Sequence, residues 1–310
     1  MGFSKLYHTI LNAKFFIDLR QVDALSVLLE KFLTKDLREF SPKILSDGEP
    51  LKISYRTADN LELPNMSADS AKQGGDDGKK NMVAVIPLRG TMIKYGTMCS
   101  YGADEIAAAI DEAAANKKVI GIVLDIDSGG GAVDAVAPLV DAIRRAKAAR
   151  KPVVACCDLC ASAAYWTACE CNEIMAANSI SSEFGSIGVM MSFPDYAKYY
   201  EKEGIKVHTI YSNLSTYKNA PFEAAKKGEY DSIKAEELDP LARKFQANVR
   251  AKRAGKLNEE IEGILSGKVF YAEDALKHGL IDSIGTLDRA VDRVRELAAE
   301  ANINQYIKDL

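Results

Sequence analysis

The chain has 310 residues, enough to bury a core without disulfide or metal staples, as one large domain or two small ones. A hydrophobic share of 47% and a charged share of 27% are those of an ordinary globular protein, and a net charge of −4 with no basic stripe argues against a nucleic-acid binder held by phosphate contacts. No apolar run approaches the ~18 residues that span a bilayer. The N-terminus lacks the apolar core and small-residue cleavage site of a signal peptide, so no membrane span and a cytoplasmic location are expected.

In chain order, residues 1–40 carry helical periodicity, with Leu25, Leu28, Leu29 and Phe32 on one apolar stripe. Residues 65–80 are polar, glycine-rich and without period, as linkers are. These features predict a helical appendage over 1–64, a flexible linker over 65–80, a main domain over 81–292 and a helical tail over 293–310. Within the main domain, 81–88 reads as a buried strand, 103–116 as a helix and 119–127 as a strand of near-continuous apolar character. A helix follows at 132–149, a strand at 151–157 and the start of a helix at 161–169. Residues 173–177, 185–192 and 205–211 read as further strands, and a long charged helix runs within 229–255. Strands alternating with helices predict an α/β fold of stacked βαβ units.

The cysteines are Cys99, Cys156, Cys157, Cys160, Cys169 and Cys171. Cys157 and Cys160 have the spacing of zinc ligands. Adjacent Cys156 and Cys157 on a strand point to opposite faces, however, and Cys169 and Cys171 diverge on a helix. Reduced thiols packed as small core side chains are expected, with no metal and no cofactor.

Two segments carry chemistry. The first, Asp127-Ser128-Gly129-Gly130-Gly131, follows a strand and leads into a helix. Glycines there let the backbone turn sharply and aim N–H groups outward, which suits an anion cradle, an oxyanion hole or simply a tight turn. The second, Cys157-Asp158-Leu159-Cys160-Ala161-Ser162, reads as a loop after a strand and puts Ser162 at a helix start, where serine also serves as a cap. If the two strands are neighbours, both segments converge above the strand ends, where α/β sheets place their sites.

With these residues in view, the chain resembles the signal-peptide-peptidase-A (protease IV) family of serine–lysine proteases. Four stretches carry the likeness in order: "DIDSGGGAVDA" at its glycine turn, "CASAAYWTACECNEIMAANSISSEFGSIGV" at its nucleophile segment, "STYKNAPF" at its lysine segment and "GKVFYAEDALKHGLIDSIGTLDRAV" at its close. The resemblance implies the Clp-protease/crotonase-like fold, Ser162 as nucleophile, Lys218 as general base, and the amides of Gly130 and Ala163 as oxyanion-hole donors. It places Ser186 close behind the site. Gly129 stands where the family has proline, and Ala163-Ala164 where it often has two glycines. The form "ASAAYW" is similar to phage and prophage members, which act as head-maturation proteases inside a procapsid.

The physics suits these roles. A serine hydroxyl needs a base, and a lysine serves as one only where burial disfavours its charged form. Lys218 lies between Tyr217 and Ala220-Pro221-Phe222, predicting such an apolar setting. His208 with Asp125 or Asp158 would make a competing triad. The expected partners are a peptide or protein substrate, further copies of the chain in a ring, and phage capsid, portal or scaffold proteins. A host-type cytosolic protease, a crotonase-type acyl-CoA enzyme and a non-catalytic assembly protein are the competing functions.

Overall fold

The computed structural model describes residues 15–17, 51–57, 62–64, 81–96 and 100–308. Its strands and helices, in chain order, begin with β1 (Phe15–Ile17), β2 (Ser54–Arg56), β3 (Glu62–Pro64), β4 (Met82–Arg89), α1 (Ala103–Ala115), β5 (Val119–Ser128), β6 (Gly130–Ala132), α2 (Val136–Ala148), β7 (Val153–Ala161) and α3 (Ala163–Ala168). There follow β8 (Glu173–Ala176), β9 (Glu183–Gly185), α4 (Ala197–Lys202), α5 (Ala220–Ala225), α6 (Asp239–Lys252), β10 (Val269–Tyr271), α7 (Ala272–Lys277), β11 (Ser283–Ile284) and α8 (Leu287–Lys308). The expected charged helix is α6, preceded by a π-helical turn over Lys234–Leu238.

The main sheet runs β10-β9-β7-β5-β4-β2-β3, with β8 and β11 branching beside β7. The pairs β4–β5, β5–β7, β7–β8 and β7–β9 are all parallel, so the centre of the sheet is the expected stack of βαβ crossovers. Both faces are covered. Met82, Ala84, Ile86 and Leu88 of β4 alternate with Val83 and Val85. The first set joins Ile122, Leu124 and Ile126 of β5 under α1 and α2, while the second meets Val123, Val154 and Cys156 against Ala290, Val291 and Val294 of α8. Burial on both faces is why these strands lack a polar alternation.

Several expectations change. Phe15–Ile17 is a strand where a helix was predicted, because it pairs with a distant segment; the stripe Leu25 to Phe32, the linker 65–80 and Cys99 lie outside the described residues. Residues 54–56 pair with β4 and Tyr55 is buried, so this stretch belongs to the main sheet rather than to a separate appendage. The expected tail is the continuation of α8, with Ala298 still buried. No strand forms over 205–211, since the sheet edge beside β9 is already taken by β10, and Val207 is 67% exposed. The strand expected over 185–192 stops at Gly185, where Ser186 adopts φ of 53° and turns the chain away. Cys157 to Ala161 is strand rather than loop, because Leu159–Ala161 pairs with β9 just beyond the reach of β8. Among the described residues, no helix is long and apolar enough to cross a membrane.

Candidate active site

β5 and β7 are neighbours, and their register puts Ser128 opposite Cys160. The glycine turn and Ser162 therefore leave the same edge of the sheet at the same height, and α3 packs directly on β6. Ser162 is the hinge between β7 and α3. It is buried, with φ of 54° and ψ of −118°. A non-glycine residue at such a positive φ costs about 1–3 kcal/mol and persists only where its surroundings impose it. Its N–H donates to the carbonyl of Gly185 at 2.8 Å, and its carbonyl accepts from Trp166 at 2.9 Å. Serine on a sharp strand-to-helix turn is the arrangement that presents a nucleophile above a sheet.

The surroundings that hold this turn are visible. Gly185 has φ of 118°, and a Cβ there would come within 2.5 Å of the Lys268 carbonyl. That carbonyl also accepts from the N–H of Ser186 at 2.9 Å, so the half-buried Ser186 braces the carbonyl-bearing residue behind Ser162. On the helical side, Tyr165 donates its hydroxyl to the Leu280 carbonyl at 2.7 Å, and Trp166 stacks on the buried Phe245 at 4.7 Å and 7°. The single tryptophan thus clamps α3 to α6.

The N–H of Ala163 lies in the first turn of α3, where no intrahelical acceptor exists. The N–H of Gly130 donates to Ser128 Oγ at 3.2 Å, and that hydroxyl donates to the Gly90 carbonyl at 2.5 Å. Gly131 is pressed against the Met92 backbone: a Cβ would lie 2.0 Å from its carbonyl oxygen, so no side chain fits. Met92 bonds the Gly130 carbonyl and the Ala132 N–H, at 2.9 and 2.8 Å. Strand alternation then turns the N–H and carbonyl of Gly131 to the opposite edge of β6.

Ser162, Ala163, Gly130 and Ser186 therefore come together. Lys218 is exposed on the segment before α5, with its N–H donating to Ser215 at 3.1 Å. The apolar setting expected for it is incomplete, because Tyr217 and Phe222 are themselves exposed. The competing triad is not assembled. His208 is exposed on irregular chain, Asp125 pairs with Arg89, and Asp158 accepts from Asn178 at 2.7 Å and from Ser182 at 3.4 Å. Gly185 is the contributor that the sequence reading missed; it was flagged only by its place in the "GSIG" motif.

Cys156, Cys157, Cys160, Cys169 and Cys171 are all buried. Burial pushes the Cys156 thiol up to about 12 and raises those of Cys157, Cys169 and Cys171. They are packing groups, with Cys156 and Cys157 on opposite faces of the sheet. The closing motif is structural too. Asp282 receives Arg253 at 2.8 Å, Lys256 at 2.6 Å and the N–H of Ile174 at 2.8 Å, tying α6 to β8.

A buried serine on a strained strand-to-helix turn beside a glycine ribbon, at one edge of a parallel sheet, defines a class of α/β proteins built for nucleophilic chemistry. The chain belongs to peptidase family S49, whose profile matches residues 145–301, about half its length. It is 32% identical to the head-tail preconnector protein GP5 of Enterobacteria phage P21, over 72% of this chain and 44% of that protein. It is 30% identical to Protease 4 of Salmonella typhi, over 93% of this chain and 44% of that one. It is 27% identical to the capsid assembly protease C of Escherichia phage lambda, over 77% and 56%. The chain thus spans about half the length of the curated relatives it matches.

Proposed function

We propose that the chain is a serine endopeptidase whose nucleophile is Ser162 and whose general base is Lys218, acting on protein segments during phage head assembly. The observation that carries this is the buried, positive-φ Ser162 beside the glycine ribbon; the names of the two phage relatives support the setting. In the reaction, Ser162 Oγ attacks the peptide carbonyl carbon while its proton passes to Lys218 Nζ. The oxyanion is held by the N–H groups of Ala163 and Gly130. Collapse expels the amine, which takes the proton back, and water then hydrolyses the ester by the reverse relay.

Lys218 is exposed, so a dry setting for the base needs cover from outside its own segment. Ile205, Val207, Ile210 and Leu214 share the segment that bears Lys218 and are 52 to 96% exposed. A second copy packed on this face would bury the apolar side chains and desolvate the lysine together, which is the reading of the expected homo-oligomer. No cofactor enters the scheme.

The test is covalent labelling by a fluorophosphonate. Wild type should label at Ser162, and Ser162→Ala should not, with an unchanged circular-dichroism melt. Labelling elsewhere, or full turnover by the variant, would remove Ser162 from the role. An acyl-CoA enzyme or a passive assembly protein would leave the probe unreacted.

A further inference from the structure

The strand β6 is three residues long and lies between two neighbours. Met92 takes one edge through the Gly130 carbonyl and the Ala132 N–H. The other edge presents the N–H and carbonyl of Gly131, on a strand that packs against α3, the helix that Ser162 opens. An extended peptide added to that edge would run past the nucleophile, gaining main-chain hydrogen bonds as strand addition does.

That edge is filled. β1 lies on it antiparallel, with Phe15 opposite Ala132, Phe16 opposite Gly131 and Ile17 opposite Gly130. We infer that Phe15–Ile17 is a built-in competitor, a strand of the chain's own N-terminal region seated where an extended peptide substrate would lie and displaced before substrate is cut. This rests on the peptidase reading above.

Two features make the strand a displaceable occupant rather than a fixed part of the fold. Among the described residues it pairs with β6 alone, in a two-stranded ribbon separate from the main sheet. Three residues of pairing on one side are marginal by themselves, so a longer peptide with side-chain contacts of its own can replace them. Phe-Phe-Ile also has strong strand preference, which suits an occupant that is extended when seated.

The full chain is used for the test, with fluorophosphonate labelling of Ser162 and hydrogen exchange at the Gly131 amide as separate readouts. Phe16→Pro removes the N–H that faces the Gly131 carbonyl and should loosen the strand. Labelling should then quicken by about fivefold or more, as the competent fraction rises. The Gly131 amide should exchange faster. In the converse variant, Phe15→Cys with Ala132→Cys, two directly opposed positions are joined. Oxidation should close an intrachain disulfide and suppress labelling, and reduction should restore it. Unchanged labelling and unchanged Gly131 exchange in Phe16→Pro would overturn the inference, as would failure of the cysteine pair to close within one chain, or full labelling of the oxidised form. If labelling is equal in all forms, the peptidase reading survives and this inference falls. If no form labels at all, the peptidase reading falls and carries this one with it.

Discussion

Ser162 and Lys218 stand in opposite physical situations. The serine is buried and held at an unfavourable φ by a hydrogen bond to Gly185; the lysine is exposed. Lys218→Ala should be as inactive as Ser162→Ala, because residues acting as a unit fail together, whereas His208→Ala should keep most of its kcat/KM. A dead histidine variant with a live lysine variant would reverse the assignment. Gly185→Ala should lose activity by roughly tenfold or more and cost about 1–3 kcal/mol, since it forces a Cβ onto the Lys268 carbonyl and strains the φ that positions the Ser162 acceptor. Urea melts with parallel probe labelling separate the two effects. Of the arrangement, the meeting of Ser162, Gly130 and Ser186 at one end of the sheet was legible from motif order. The exposure of Lys218 was not, because apolar neighbours in sequence predict burial only when something packs on them.

At the scale of elements, α3 is six residues long and depends on what grips it. Phe245→Ala removes the ring under Trp166 and should cost about 3–5 kcal/mol, with slower labelling of Ser162 as α3 loosens. A labelling rate untouched by that loss would show that β7 alone sets the serine. Glu170, at the end of this helix segment, is buried. Burial alone would raise its carboxyl, but bonds from Arg144, Lys252 and Asn248 outweigh that and bring it down to about 2. A carboxylate lowered on folding stabilises the native state above its ordinary value near 4.5, and that contribution drains away as pH falls from there toward 2. Glu170→Gln should therefore destabilise at pH 7 and lose less on acidification than wild type, which urea melts at pH 7 and pH 3.5 compare directly. The parallel strands and covering helices were legible because double-sided burial writes continuous apolar runs. β1 was not, nor the extension of β7 through Ala161: both are made by pairing with residues far along the chain, and local periodicity carries no trace of a distant partner.

Across the whole molecule, the apolar side chains are divided unevenly. The sheet is sealed on both faces, while the segment from Tyr196 to Phe222 displays Tyr199, Val207, Ile210 and Leu214 to solvent. Surface of that kind marks an interface. Light scattering at micromolar concentration should give a mass well above one chain, and Ile210→Asp with Leu214→Asp should shift it toward the monomer while the circular-dichroism melt holds. A monomeric wild type would contradict the proposed cover for Lys218. The alternation of strands and helices from 82 to 176 was readable in advance, but the division of labour between a sealed sheet and an unsealed arm was not, since composition alone does not say which apolar residues find cover within the same chain.

The buried sulfur atoms on and beside the central sheet have one more consequence. Five thiols sit inside the core, four of them held far from their reactive anionic form by burial. A neutral alkylating reagent can reach them only when the strands part, so their modification rate in native buffer is a clock for global opening. Counting alkylated core sulfurs by mass spectrometry over hours would time the lifetime of the closed sheet without any denaturant, and would do so in the same tube as a serine-directed probe with which these thiols do not compete.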